Sequence, residues 1–270
     1  MPELPEVETT RRGLEPLIVG RSIAHIEVRE PRLRWPVGSE LGSQLAGRRI
    51  LALGRRGKYL LIETDGGTLL VHLGMSGGLR YQSEPTPPGK HDHVDLLFTD
   101  GTLLRLHDPR RFGSLHFADC PEEHALLKHI GPEPLGDQLT ADYLWSTCRG
   151  RRVAIKPHLM TARIVAGVGN IYANEALYRA GIRPARAAGR VARNRFPALV
   201  EAVRDVLREA IEQGGTTLRD FADGTGKPGY FQLALKVYGR AGEPCPSCGE
   251  PIRLKVIGQR ASYYCPRCQH

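Results

Sequence analysis

Four of the six cysteines stand in two C-x-x-C pairs, Cys245-Pro-Ser-Cys248 and Cys265-Pro-Arg-Cys268, separated by sixteen residues. That spacing puts two sulfurs on each of two tight turns, which is how a chain closes a tetrahedral four-thiolate zinc site. Between the pairs, Ile252 to Tyr264 reads as two short strands joined at Gly258-Gln259. A hairpin of this size buries too little apolar surface to fold without its metal. Four sulfurs leave no open coordination position, so the single Zn2+ expected here is structural. Arg260, just past the turn, has a donor fork suited to a phosphate backbone, although a solvated surface arginine reads the same way. Cys120 and Cys148 have no spaced partner and read as ordinary buried thiols.

The charge is polarised along the chain. Residues 1–150 carry 18 basic and 20 acidic side chains, whereas 151–270 carry 20 and 9, so the whole net charge of +9 comes from the C-terminal part. Such a surplus points to a polyanion partner, nucleic acid first, although any arginine-rich soluble protein shares it. No apolar run approaches the ~20 residues needed to span a bilayer, and no signal-peptide core is present. The expectation is a cytoplasmic chain with no membrane partner.

The first eight residues, MPELPEVE, allow a specific chemistry. Removal of Met1 before the small Pro2 would leave a secondary amine at the N-terminus. Condensed with an aldehyde-like sugar carbon, that amine gives a cationic iminium, an electron sink that acidifies the next carbon and favours elimination. Glu3 and Glu6 then stand ready as acid and base. The same residues equally suit a helix start, where proline is tolerated and carboxylates match the dipole.

Pro5 to about Pro16 is expected to be a short helix. From Ser22 to about Phe117 short alternating strands follow, at Ala24/Ile26/Val28, Tyr59 to Ile62, Leu69 to Val71, Val94 to Phe98 and Leu103 to Leu106, with turns at Asp65-Gly66-Gly67 and Asp100-Gly101. Many short strands with such turns predict a β-sandwich carrying the N-terminal helix. Helical signals at about 139–148 lead to a basic linker at Arg149 to Arg152. Pro157 opens an apolar segment through Leu159, Met160, Ile164 and Val165, followed by Gly167-Val168-Gly169-Asn170 and a second helix that Asn170 can cap. Such a glycine turn can grip a phosphate, or can simply join two helices. A core helix begins near Asn194 and Pro197, and the glycine-rich 214–229 is expected to be a mobile functional loop. The fold class is α+β in three parts: a catalytic sandwich at 1–133, a helical domain at 134–235 and a zinc ribbon at 236–270.

MPELPEVE, GVGNIYANE and the four-cysteine ribbon together resemble formamidopyrimidine-DNA glycosylase, and GKYL, HLGMSG, KHDHVD and DPRRFG extend the match along the chain. The resemblance implies a bacterial base-excision repair enzyme. It removes oxidised purines, chiefly 8-oxoguanine and formamidopyrimidines, from damaged double-stranded DNA and then cuts at the abasic sugar by β,δ-elimination. It also implies a monomer that meets the nucleoid through DNA. Pro2 takes the role of nucleophile and Glu3 of acid, Lys58 donates a proton in β-elimination, and Arg260 serves δ-elimination and phosphate binding. His72, His91, Arg110, Arg151 and Asn170 contact DNA, with GVGN as the turn of a helix-two-turns-helix motif. Extruding the lesion costs a few kcal/mol of stacking and pairing. Met75 would fill the vacated space, Phe112 wedge the opposite strand and Arg110 read the orphaned cytosine. Arg219 stands where some relatives have lysine, so details of lesion recognition by that loop stay open.

Three rivals are weighed. An endonuclease VIII-like relative would share the proline chemistry but take oxidised pyrimidines, and Leu4 favours the purine branch. A non-catalytic zinc-ribbon DNA-binding protein would have no use for Pro2, Glu3 and Lys58. A proline tautomerase would need neither ribbon nor charge asymmetry.

Overall fold

The computed structural model describes residues 2–215 and 235–270, so the glycine-rich loop and Arg219 lie outside the described residues apart from Gly214 and Gly215. The described residues fall into two compact units, one running to Lys128 and joined by residues 213–215, the other built from His129–Glu212 and the chain from Leu235 onward.

In the first unit, chain order is α1 (Leu4–Ile18), β1 (Ile23–Val28), α2 (Leu41–Leu45), β2 (Ile50–Arg56), β3 (Tyr59–Thr64), β4 (Gly67–His72), β5 (Gly78–Gln82), β6 (Asp92–Phe98), β7 (Leu103–His107) and β8 (Ser114–Ala118). Two antiparallel four-stranded sheets form, in the orders β1-β6-β7-β5 and β2-β3-β4-β8. Their inner faces share one apolar core, with Leu96, Leu104 and Leu106 from the first sheet, Leu60, Ile62 and Val71 from the second, and Val7, Leu14 and Ile18 from α1. The expected sandwich with its packed helix is therefore present. The α1 side chains that reach the core recur at helical spacing, which is why the segment is a helix and which face it buries.

Three strands, β2, β5 and β8, had no clean alternation to announce them. In β1 the alternation misleads: Ala24 and Val28 are exposed and Ile23 is the buried residue. A register shift between Ile23 and His25 changes the phase of the strand. Cys120 is exposed, against the expectation of a buried thiol, because it sits past the end of β8 just before the turn at Pro121; Cys148 is buried as expected.

The first sheet carries an ion network across its strands. Arg105 donates from Nε and Nη2 to the two oxygens of Asp95 at 2.9 and 2.7 Å, and Arg29 Nη2 lies 2.8 Å from the same carboxylate. Burial opposes ionisation of Asp95, but hydrogen bonds from Arg105 and Arg29 outweigh it and hold the carboxyl below its ordinary range.

The second unit contains α3 (Ala141–Cys148), α4 (Ile155–Leu159), α5 (Asn170–Arg179), α6 (Phe196–Glu212), β9 (Arg253–Ile257) and β10 (Arg260–Tyr264). Thr140 caps α3 by accepting from Tyr143 N–H at 3.0 Å. The apolar stripe of α6 is buried from Phe196 to Ile211, as its spacing predicts. Pro157 does not open its helix as expected: α4 starts at Ile155, holds Pro157 in its first turn, and stops early at Leu159. Carbonyls beyond it are used elsewhere: Ala162 O accepts from Gly131 N at 2.8 Å and Ile164 O from Tyr143 Oη at 3.0 Å. Gly131 is required there, since a Cβ would lie 2.7 Å from Arg163 O and Ile164 C. Gly258 and Gln259, with φ of +56 and +60, form the two-residue turn joining β9 to β10. Among the described residues no helix is long and apolar enough to cross a membrane.

Replacing Arg105 with Ala leaves a buried carboxylate with Arg29 as its remaining ion-pair partner, and is expected to lower unfolding stability by about 3 kcal/mol. Urea denaturation checks this; a loss below about 1 kcal/mol, the scale of an exposed pair, would mean that Arg29 alone neutralises the site.

Candidate active site

The head of α1 is closed to solvent. Pro2 is buried, Glu3 is 1 % exposed and Glu6 is fully buried. Glu3 occupies the cap position in extended conformation and forms a capping box with Glu6, whose Oε2 accepts from Glu3 N–H at 2.8 Å. Glu6 thereby holds the backbone next to Pro2, a fixed placement that its spacing alone did not disclose. The helix is pinned to β2 in turn: Glu8 lies 3.2 Å from Arg55 Nε, and Arg11 Nη1 donates to Leu53 O at 3.2 Å. Burial works against the Glu8 charge, but hydrogen bonds from Arg11 and Arg12 and the charges of Arg11 and Arg55 hold its carboxyl below the ordinary range.

Lys58 stands at the turn between β2 and β3, after Gly57 with φ +56. Arg55 Nη1 fixes that turn by donating to Gly57 O at 3.0 Å. His72 ends β4 opposite Tyr59, with ring centroids 4.8 Å apart. Burial first, then the positive charges of Lys58 and Arg34, push the His72 imidazole down to about 4. It is therefore neutral, and its Nδ1 accepts from Gly74 N–H at 3.0 Å, leaving Nε2 as the protonated nitrogen. The positive charges of Lys58 and Arg34 thus both act on the neutral His72 ring. Arg34 was missed because it lies in the irregular segment PRLRWP, where no pattern signals function.

Met75, Arg110 and Phe112 come together on two loops of the same unit. A Cβ on Gly74 would lie 2.3 Å from Phe112 C and 2.5 Å from Gly113 N, so the loops touch backbone to backbone. The Arg110 guanidinium lies over the Phe112 ring at 4.9 Å, and Phe112 is 41 % exposed. Between them Arg111 adopts φ +59, rare for a residue with a side chain. His91 precedes β6, its ring 6.0 Å from that of His107. Asp108, fully buried beside these loops, is a residue the sequence reading passed over.

Arg151, Asn170, Arg260 and the four cysteines belong to the second unit. Arg151 is exposed on a fixed backbone: its N–H donates to Cys148 O and its carbonyl accepts from Gly189 N–H, both at 3.0 Å. Asn170 was expected to cap α5, but Gly169 holds the cap position and Asn170 is the first helical residue. Its Oδ1 is buried without a hydrogen-bond partner among the described residues. Arg260 is exposed at the start of β10.

The ribbon is tied to the helices by side chains no motif flagged. Lys156, fully buried, donates to Ala261 O and Ser262 Oγ, both at 2.7 Å, just past Arg260. Asn174 Oδ1 accepts from Tyr263 N–H at 2.7 Å while its Nδ2 donates to Asn170 O at 2.6 Å. The Glu175 carboxylate accepts the backbone N–H groups of Lys236, Val237 and Tyr238 at 2.8–3.0 Å.

Sulfurs of Cys245, Cys248, Cys265 and Cys268 all lie within 4.8 Å of one another. Cys245 and Cys268 are 3.9 Å apart and Cys248 and Cys265 3.5 Å. A tetrahedron with Zn–S of ~2.3 Å has edges of ~3.8 Å, so the donor set fits one structural zinc ion.

Family models bear directly on this arrangement. The formamidopyrimidine-DNA glycosylase N-terminal domain matches residues 1–115, the H2TH domain of the same enzyme 130–222, and the zinc finger found in FPG and IleRS 242–270. The formamidopyrimidine-DNA glycosylase of Syntrophotalea carbinolica is 57 % identical over 270 residues, covering 100 % of both chains. The crystal structure of MutM (Fpg) from Thermus thermophilus is 41 % identical with a TM-score of 0.89, covering 99 % of this chain and 98 % of that one. Lactococcus lactis Fpg, in complex with a DNA containing Fapy-dG, is 36 % identical with a TM-score of 0.91, covering 99 % and 100 %. With identity of this order from end to end, the chain belongs to the formamidopyrimidine-DNA glycosylase family.

Proposed function

We propose that this DNA glycosylase of base-excision repair excises oxidised purines, 8-oxoguanine and formamidopyrimidines, from double-stranded DNA and then cleaves the abasic site, working as a monomer in the bacterial cytoplasm on nucleoid DNA. The observation that carries the chemistry is the buried cap at the head of α1, where Pro2 and Glu3 are held by the capping box with Glu6. Once Met1 is removed, the Pro2 nitrogen attacks the sugar C1′. A nitrogen–carbon bond forms, and the glycosidic bond breaks with its electron pair leaving on the base. Glu3 donates a proton to the ring oxygen as the sugar opens, and the nitrogen loses its own proton to give the iminium. The adjacent carbon is now acidic: the Glu3 carboxylate left by ring opening takes its proton and the 3′ phosphate leaves with its bond pair in β-elimination, with Lys58 as proton donor, after which a second sugar proton passes to water and the 5′ phosphate leaves in δ-elimination, assisted by Arg260. Glu6 acts in this reading through the backbone it holds.

His72, His91, Arg151 and Asn170 contact the DNA backbone, and the neutral His72 presents its Nε2 proton to a phosphate. Met75, Arg110 and Phe112 fill and wedge the opened stack. The division into a catalytic part at 1–133, a helical part at 134–235 and a ribbon at 236–270 follows these roles. The zinc ion supplies no chemistry; its four thiolates hold the hairpin that carries Arg260.

Three measurements test this. Borohydride reduction of a reaction on a duplex with 8-oxoguanine opposite cytosine is expected to trap a protein–DNA adduct mapping to the Pro2 nitrogen. Pro2→Gly impairs that capture, and Glu3→Gln lowers base removal by about 100-fold or more. An adduct formed only with oxidised pyrimidines, or none at all from protein beginning at Pro2, overturns the reading. Cys248→Ser, or chelation of the metal, is expected to unfold the ribbon and weaken DNA binding in a filter assay while the first unit keeps its own unfolding transition.

His72 sets a pH dependence. Its folded value of about 4 lies below the ordinary 6.5, so the unfolded chain binds more protons between the two. The stability it contributes is complete above 6.5 and lost as pH falls toward 4. Denaturation midpoints measured across that window should fall less steeply with decreasing pH in His72→Asn.

A further inference from the structure

We infer that Asp108 is a positioning residue that locks Met75, Arg110 and Phe112 into one rigid probe of the duplex, a role that rests on the void-filling reading above. The carboxylate is fully buried. Oδ1 accepts from Ser76 Oγ at 2.9 Å and from Arg110 N–H at 3.3 Å, and Oδ2 accepts from Gly113 N–H at 2.7 Å. Each probing side chain is thus on, or next to, a residue held by one carboxylate: Met75 precedes Ser76, Arg110 donates its own amide, and Phe112 precedes Gly113.

The Asp108 backbone extends the hub. Its N–H donates to His91 O at 2.9 Å, its carbonyl accepts from Arg111 N–H at 3.2 Å, and the same carbonyl lies 2.8 Å from His93 Nε2. Arg111 keeps its left-handed φ because its own amide, that of Arg110 before it and that of Gly113 two residues on are all tied to Asp108. These donors are a hydroxyl, an imidazole and backbone amides, so the Arg110 guanidinium is not spent on the carboxylate and stays over the Phe112 ring at 4.9 Å. Only a carboxylate offers two acceptor oxygens here; an Asn side chain offers one, and its NH2 faces either Ser76 or Gly113. A probe ordered before it meets DNA avoids the entropy of ordering three side chains while the stack is being opened.

Asp108→Asn and Ser76→Ala are compared with Met75→Ala, Arg110→Ala and Phe112→Ala on a duplex with 8-oxoguanine opposite cytosine and 2-aminopurine beside that cytosine. Fluorescence of 2-aminopurine rises as the stack is wedged open. Excision from this duplex is measured beside borohydride capture on a single-stranded abasic oligonucleotide, which has no stack to fill. Asp108→Asn is expected to lower duplex excision about 10- to 100-fold more than single-strand capture, as misplaced positioning groups do. It should also blunt the fluorescence rise and flatten the preference for cytosine over adenine opposite the lesion, with Ser76→Ala moving each readout the same way by less. Equal losses on both substrates would make Asp108 a residue of the fold alone and overturn the proposal. If the three alanine variants leave the fluorescence rise intact, the void-filling reading fails instead; if they abolish it while Asp108→Asn does not, only the positioning role fails. Should Asp108→Asn not fold, the same ratio measured on Ser76→Ala decides.

Discussion

In the proposed reaction Pro2 is a secondary amine at the chain terminus, free to turn about the backbone bonds beyond its ring, and a wandering nucleophile attacks nothing in particular. Here that freedom is removed one residue away, by the hydrogen bond from Glu3 N–H to the buried Glu6 carboxylate. The bond works only because α1 itself is immobile, with Leu4 and Val7 in the core and Glu8 and Arg11 anchored on β2. Local capping and the sandwich core are therefore one device, and the placement of Pro2 is a consequence of how the sheets pack.

The parts of this molecule legible in the sequence are those specified by short-range spacing. The cysteine pairs, the Gly258-Gln259 turn and the stripe of α6 each follow from a rule that operates within a few residues, and each is found where the rule puts it. Arg34 and Lys156 act through partners tens of residues away, and Asp108 joins its near neighbours Arg110 and Gly113 to the distant Ser76, so their importance exists only once the chain has folded. The end of α4 at Leu159 is of the same kind, because distant donors at Gly131 and Tyr143 claim the carbonyls a longer helix would have used. Motif resemblance reached Lys58 and His72, but neither spacing nor resemblance showed that burial and the charges of Lys58 and Arg34 hold the imidazole neutral.

In the second unit the ribbon and the helices are joined by polar groups taken out of water. Lys156 is fully buried, and among the bonds that satisfy its ammonium are those to a carbonyl and a hydroxyl of β10. The Glu175 carboxylate gathers three successive amides, as an anion does in a nest of backbone N–H groups. Such bonds are worth little when intact and cost much when one partner is lost, so they enforce one arrangement more than they add stability. The ribbon needs that enforcement, because its two strands are too short to orient themselves.

The contact at Gly74 also limits how this protein can change over generations. Two loops that meet backbone to backbone have no side chain at the junction to resize, and a Cβ at Gly74 would collide with Phe112 and Gly113 main chain. Drift cannot remodel the spacing between them by small steps, as it does where side chains interdigitate. If, as proposed, Met75, Arg110 and Phe112 probe the opened stack, heritable shifts in which opposite base is tolerated arise by exchanging the side chains mounted on the two loops, while the mount stays as it is.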